Sequence, residues 1–458
     1  MAVIPQRFSE RMRNLLGSES EQLLSALTEP PVMGLRVNTF KLTPAALQQL
    51  TAWPISPVPW CSTGFVIPDE LRPGKHPFHA AGLYYLQDPS AMAVAETLAP
   101  KAGNWVLDLA AAPGGKSTHL LSLLGKGVLI ANEVARGRLK ALGENLERWG
   151  STHAVITNNE VARLAQGWGA VFDGVLLDAP CSGEGMFRKA PEARDHWSEA
   201  AVLGCAARQE ALLAEAADLV RPGGVLVYST CTFAPEENEQ VIAKFLAAHP
   251  EFELLPTGLS GVSPGEPLWV PTSWRSAKLG KAARLWPHRQ IGEGHFVAKL
   301  RRIAGDAPAR AYQPFIPAPG ATRALWREFV SAALTSDPVP DLVLVAQGEQ
   351  LYAVPEQLPR LSGLSLLRAG LWLGTLKKGR LEPSHALALA LTGSGAQRTL
   401  ELAPENPQLA HYLAGDVLEA AGEDGWLIIT VAGFPIGWGK RSQGIVKNRY
   451  PKGLRITH

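Results

Sequence analysis

Only four cysteines occur in 458 residues, at positions 61, 181, 205 and 231. So few, and so irregularly spaced, they exclude a disulfide framework and point to a reducing cytoplasm. None of their spacings is a zinc pattern. No apolar run approaches the roughly 20 residues of a membrane span. The opening segment, Met1 to Glu10, has no apolar stretch of the kind a secretory leader carries. Neither sign of charge dominates: 44 Lys plus Arg against 42 Asp plus Glu leave a net charge of +2, which excludes a polycation. There is no internal repeat and no low-complexity tract.

What is present is sharper. Two of the four cysteines follow apolar, strand-like runs. One is in Leu-Leu-Asp178-Ala-Pro180-Cys181-Ser-Gly, the other in Val-Tyr-Ser-Thr230-Cys231-Thr-Phe. Open α/β sheets place their chemistry after strand ends, and a thiolate is the strongest ordinary side-chain nucleophile. On position alone, inert burial competes evenly with chemistry. Cys61 and Cys205 follow no such run and read as structural.

The middle of the chain alternates strands and helices. Apolar runs begin at Trp105, Val128, Ala154, Phe172, Gly224 and His295; helical stretches cover about 117–124, 135–149 and 203–220, and another starts at Pro235. This predicts an α/β fold, a doubly wound and mostly parallel sheet. Four units are expected: an N-terminal α+β RNA-binding extension over 1–85, the core over 86–302, a linker and intermediate domain over 303–385, and a β-rich module over 386–458. The linker reading rests on the Ala/Pro/Gly-rich segment 303–320. Charge is local: eight Lys or Arg against one acid lie between Thr272 and Arg302. From Gly433 to the end, Lys440, Arg441, Lys447, Arg449, Lys452 and Arg455 meet no acid. Two basic runs on a near-neutral chain suit a nucleic-acid groove.

The first core strand runs into Asp108-Leu-Ala-Ala111-Ala112-Pro113-Gly114-Gly115-Lys116-Ser117. Small residues and paired glycines let backbone amides approach a ligand at a helix N-terminus. Gly-Lys-Ser ends like a P-loop, but that motif needs a glycine where Ala110 stands. A nucleoside without pyrophosphate is the better ligand. An acid after the second strand should then take the ribose hydroxyls, and Glu133 stands there, with Arg138 close behind. Asn159 ends the third strand, where its amide can meet an adenine.

These motifs, with Ser229-Thr-Cys-Thr, Pro235-Glu-Glu-Asn-Glu, Arg36-Val-Asn-Thr and Tyr85-Leu-Gln-Asp-Pro-Ser90, resemble the Nop/Sun family of S-adenosylmethionine-dependent RNA cytosine-5 methyltransferases. The tail from Gly374 onward resembles a bacterial branch of that family, ending in a PUA-like RNA-binding module. The resemblance implies S-adenosylmethionine bound by Ala111 to Lys116, Glu133, Arg138, Asn159, Asp178 and Pro180. It implies ribosomal RNA, or the small ribosomal subunit, as partner. It also implies Cys231 as the nucleophile and Cys181 as the residue that aids release. Two positions depart from the family pattern: Asn159 and Glu133 each stand where aspartate is common.

The chemistry explains the residue types. C5 of cytosine is a poor nucleophile until a thiolate adds to C6. That addition needs charge accommodated at N3, and Asp178 fits if burial raises its pKa enough to donate. Lys116 would help place the cofactor or offset charge. The target base must be flipped out or lie in a loop. Transfer RNA as substrate, or a non-catalytic RNA-binding assembly factor, are the competing readings. The cofactor loop and the cysteine pair weigh against the second.

Overall fold

The computed structural model describes residues 4–68, 70–306 and 308–456. Met1 to Val3 of the opening segment and Ala307 of the linker lie outside the described residues. The centre of the molecule is one large sheet. Five parallel strands lie side by side in the order Val220–Thr230, Phe172–Asp178, Trp105–Asp108, Val128–Asn132, Ala154–Thr157. The chain starts at Trp105, winds outward through Val128 and Ala154, then returns to Phe172 on the other side. The expected doubly wound sheet is present. The direction reverses between Trp105–Asp108 and Phe172–Asp178, so the carboxyl ends of these two strands open a crevice.

Why these segments are strands is visible in their burial. Every residue of Trp105–Asp108 and of Val128–Asn132 is buried, as strands covered on both faces must be. Side chains alternate between two cores. Leu107, Ile130, Val175 and Leu226 face one; Val106, Leu129, Leu176 and Val227 face the other. Each such aliphatic side chain contributes roughly 1.5–3 kcal/mol on burial.

Antiparallel strands extend both edges. His295–Arg302 pairs with Val220–Thr230 on one side. On the other, Leu366–Ala369 joins Ala154–Thr157 from some 200 residues away in sequence. The segment 303–320, expected as a linker, carries no helix or strand up to Pro319 and is mostly exposed among its described residues, with Arg310 anchoring it to the sheet. Arg310 pairs with Asp173 at 2.7 Å and lies 4.6 Å over the Trp105 ring. The strand beginning at Val220 also starts earlier than its apolar run suggests, with a register shift opposite Phe172 and Gly174.

The N-terminal part forms a four-stranded antiparallel sheet in the order Ser56–Val58, Cys61–Ile67, Met33–Val37, Tyr84–Leu86. Two further sheets follow the core, one of four strands within 343–383 and one of five strands within 399–448. The last packs back on the first: Leu35, Phe65 and Tyr84 share a core with Leu402, Leu427 and Ile436. Among the described residues, no helix is long and apolar enough to cross a membrane.

Candidate active site

Three loops meet where the sheet's winding reverses. The first leaves Asp108 and opens the helix Gly115–Leu124. Gly114 has φ 114°, a conformation that favours glycine. A Cβ on Gly115 would sit 3.2 Å from Tyr85 Cε1, so the loop is pressed onto the N-terminal sheet. The fully buried Arg36 clamps it there. Its Nη2 donates to the Gly115 carbonyl at 3.1 Å and to Thr118 Oγ1 at 2.7 Å, and its Nε donates to Gln87 Oε1 at 3.0 Å.

Glu133 is buried beside the alanine turn. Its carboxylate accepts from the Ala112 amide at 3.2 Å and the Ala135 amide at 2.8 Å, and Arg138 stands 3.4 Å away. Arg138 also donates to the Ala112 carbonyl. The two residues therefore brace the loop at Ala112. Asp108 was not among the expected binding residues. Its Oδ2 accepts from Ser117 at 2.6 Å, while its buried Oδ1 has no partner. Burial pushes its pKa up to about 7 against the pull of Ser117 and Lys116. An orphaned acceptor, a glycine cradle and a buried acid after the second strand fit a nucleoside that carries an amino-acid ammonium group. The signal for Asp108 was its place at the strand end.

Asn159 is engaged on both sides of its amide by Ser365. Its Oδ1 accepts from the Ser365 amide at 2.9 Å, and its Nδ2 donates to the Ser365 carbonyl at 3.1 Å. Both ends of the amide are engaged by the strand that joins the sheet edge. An adenine contact must use what remains, the second Nδ2 hydrogen or the second Oδ1 lone pair.

The two cysteine loops are stitched together. Cys181 Sγ and Cys231 Sγ stand 3.3 Å apart. Glu237 accepts from the Ser182 amide at 2.9 Å and from Gln209 Nε2 at 2.8 Å, and Gln209 also donates to the Pro180 carbonyl at 2.9 Å. Asn238 accepts from Thr230 Oγ1 at 2.6 Å and donates to the Thr232 carbonyl at 2.9 Å, bracketing Cys231. The Gly185 amide donates to the Cys231 carbonyl at 2.9 Å. The hydrogen bond to Cys231, then burial, push the Cys181 thiol well above its ordinary range.

Lys116 joins the first loop to the cysteines. Its ammonium lies 2.6 Å from Asp178 Oδ2, and Ser229 Oγ donates to Asp178 Oδ1 at 2.7 Å. Here the expectation for Asp178 is corrected. Burial does push its pKa up, but Lys116, His295 and Ser229 together outweigh burial and hold it below the ordinary value. This favours the carboxylate over the donor form that the sequence reading required. Burial lowers the Lys116 pKa, yet Asp178 and Cys231 outweigh it and keep the ammonium charged.

Acids distant in sequence take three of the eight charges in the first basic run. Arg284 is buried against Glu239, Arg289 pairs with Glu19, and Arg301 pairs with Glu253. In the terminal run Arg441 is buried. Lys440 and Arg449 instead each lie 5.4 Å over Trp426, with Lys447 opposite Lys440 on the next strand.

Residues 95–301 match the family described as 16S rRNA methyltransferase RsmB/F. Residues 4–89 match the N-terminal domain of 16S rRNA methyltransferase RsmF, 328–391 its first C-terminal domain, and 399–456 its PUA domain. The ribosomal RNA small subunit methyltransferase F of Erwinia tasmaniensis is 33% identical, over 98% of this chain and 96% of its own. That of Aeromonas hydrophila is 34% identical, over 95% and 93%. A methyltransferase homolog from Pyrococcus horikoshii of known structure is 32% identical, with a TM-score of 0.58 over 65% of this chain and 95% of that one. NSun6 from the same organism, solved with SFG, shares the fold at 24% identity and a TM-score of 0.57, over 66% and 100%.

Proposed function

Because the chain belongs to the 16S rRNA methyltransferase RsmB/F family, we propose that it methylates C5 of a cytosine in 16S ribosomal RNA of the small subunit, in the cytoplasm, through a covalent Cys231–C6 adduct. The single observation that carries this reading is the 3.3 Å pairing of Cys181 with Cys231 beside a charged Lys116. S-adenosylmethionine, when bound, supplies the methyl group as an electrophilic sulfonium. Asp108, Glu133 and the Ala111–Lys116 loop would hold it, with Arg138 bracing the loop and Asn159 at its edge.

The protein's own groups do the rest. The Cys231 thiolate adds to C6, which makes C5 enamine-like and able to take the methyl. Lys116, held protonated between Asp178 and Cys231, offsets the negative charge on the ring; Asp178 orients it. A water molecule then takes the C5 proton; the C5–H electron pair re-forms the C5–C6 double bond as the C6–Sγ bond breaks and Cys231 leaves as a thiolate. The Cys181 thiol, 3.3 Å from Cys231, would donate a hydrogen bond to the departing thiolate and so aid release. The face carrying Trp426, Lys440, Lys447 and Arg449 suits unpaired RNA, offering an aromatic plane and cations. Bisulfite sequencing of 16S rRNA and of transfer RNA, each incubated with the purified protein and S-adenosylmethionine, tests the assignment. A new non-converted cytosine in 16S rRNA alone is expected. Methylation confined to transfer RNA overturns the substrate, and none in either overturns the chemistry.

A further inference from the structure

Cys61, read from sequence as structural, does not stand alone. Cys61 opens a strand of the N-terminal sheet, Glu96 lies on the helix Pro89–Leu98, and His119 lies on the helix that follows the cofactor loop. One ligand atom from each falls within 4.8 Å of the others. The Cys61 Sγ to His119 Nε2 distance is 3.8 Å, and His119 Nε2 to Glu96 Oε1 is 3.1 Å. Around a tetrahedral zinc, with bonds of about 2.3 Å to sulfur and about 2.0 Å to nitrogen or oxygen, the corresponding edges are about 3.6 and 3.3 Å. Two of the three edges thus already stand near coordination spacing and the third closes within 4.8 Å, with the donors on three separate elements.

We propose that Cys61, Glu96 and His119 form a zinc site that fastens the N-terminal sheet to the cofactor helix. The mixed sulfur, nitrogen and oxygen donor set suits Zn²⁺ over the hard cations, which prefer all-oxygen shells. Thiolate and carboxylate together cancel the dication, so the nearby Arg36 faces a neutral cluster. Cys61 and His119 are about 1% exposed, whereas the Glu96 side chain is 25% exposed. The ion therefore enters past Glu96, where a fourth position stays open to solvent. Loading releases the Cys61 thiol proton to solvent, and the His119 ring proton moves from Nε2 to Nδ1. No catalytic step passes through the ion.

The test uses the full chain and does not depend on methyl transfer. Protein loaded with Zn²⁺ and then gel-filtered should retain about one zinc per chain by elemental analysis. Protein loaded with Co²⁺ should show a thiolate-to-cobalt charge-transfer band in the near ultraviolet. Cys61→Ser should lose that band. Glu96→Gln, at the partly exposed position, should keep the fold by circular dichroism and weaken zinc binding roughly tenfold or more, and it carries the test if Cys61→Ser misfolds. Zinc lost on gel filtration from the unmodified chain overturns the proposal and leaves a hydrogen-bonded trio only. A charge-transfer band that survives in folded Cys61→Ser overturns it too, because the metal then sits on Cys181 and Cys231. Unchanged zinc affinity in Glu96→Gln does the same.

Discussion

Replacing Lys116 by Met removes one ammonium and keeps the alkyl stem. In the native arrangement the ammonium stands 2.6 Å from Asp178, the two side chains being 15% and 28% exposed. At an effective dielectric constant of about 20, that separation is worth about 6 kcal/mol of attraction before desolvation is counted. Removing one member of such a pair costs about 3–5 kcal/mol, because the other charge is left without compensation. Asp178 keeps its bond from Ser229 and some solvent, so about 3 kcal/mol is expected. The pH dependence has a definite sign. In the native protein the folded pKa of Asp178 is depressed, so its contribution is present above the ordinary carboxylate range near 3.9 and is lost as pH falls below it. In Lys116→Met, burial is opposed by Ser229 and His295 without Lys116, and the folded pKa rises. The cost of the substitution should then grow as pH rises above about 4 and vanish in acid, where Asp178 is protonated in both states. The assay is a double-mutant cycle of Lys116→Met and Asp178→Asn on urea unfolding at pH 7.5. A coupling of about 2–4 kcal/mol is expected. Coupling below about 0.5 kcal/mol, or a cost independent of pH, would refute the reasoning.

Other perturbations probe different parts of the account. Burial, then Lys41 and Arg148, hold the His385 pKa down to about 3. Its contribution is present above the unfolded value of about 6.5 and is lost as pH falls, at about 1.4 kcal/mol per pH unit; His385→Gln should reduce the slope of unfolding free energy between pH 6 and 4.5 by one proton, and an unchanged slope would contradict this. Asn159→Asp keeps the bond from the Ser365 amide but sets a carboxylate oxygen against the Ser365 carbonyl, at a cost of about 1–3 kcal/mol. Hydrogen-exchange protection of Leu366–Ala369 should drop about tenfold or more, and undiminished protection would show that the clasp does not hold the strand. A Cβ on Gly185 would lie 2.9 Å from both the Cys231 and Gly294 carbonyls, so Gly185→Ala must displace the Cys231 loop. Methyl transfer should fall by at least about tenfold with S-adenosylmethionine affinity unchanged; a loss of cofactor affinity instead would place the damage elsewhere.

The fold was legible because its signals are local. Apolar runs beginning at Trp105, Val128, Ala154 and Phe172, each followed by turn or helix residues, are enough to imply a parallel sheet and to put the intervening loops at its carboxyl edge. What stayed hidden depends on contacts between residues far apart in sequence. Nothing near Asn159 announces that Ser365, 206 residues on, will take its amide. The state of Asp178 turns on whether Lys116, 62 residues earlier, outweighs burial, and sequence contains both terms without their distance. In the basic run from Thr272, sequence does not show which charges are met, because Glu239, Glu19 and Glu253, which pair with Arg284, Arg289 and Arg301, are contributed from elsewhere in the chain. Cys61 looked inert because Glu96 and His119 join it from separate helices.

The division of labour between the two cysteines is the centre of the account, and trapping the adduct tests it most directly. Native protein, Cys231→Ala and Cys181→Ala are each incubated with 16S rRNA and S-adenosylmethionine, then run on a denaturing gel with and without ribonuclease. The account predicts a ribonuclease-sensitive, slow-migrating adduct that accumulates in Cys181→Ala. It predicts neither adduct nor methyl transfer in Cys231→Ala. An adduct in Cys231→Ala, or methyl transfer that survives that substitution, would contradict it.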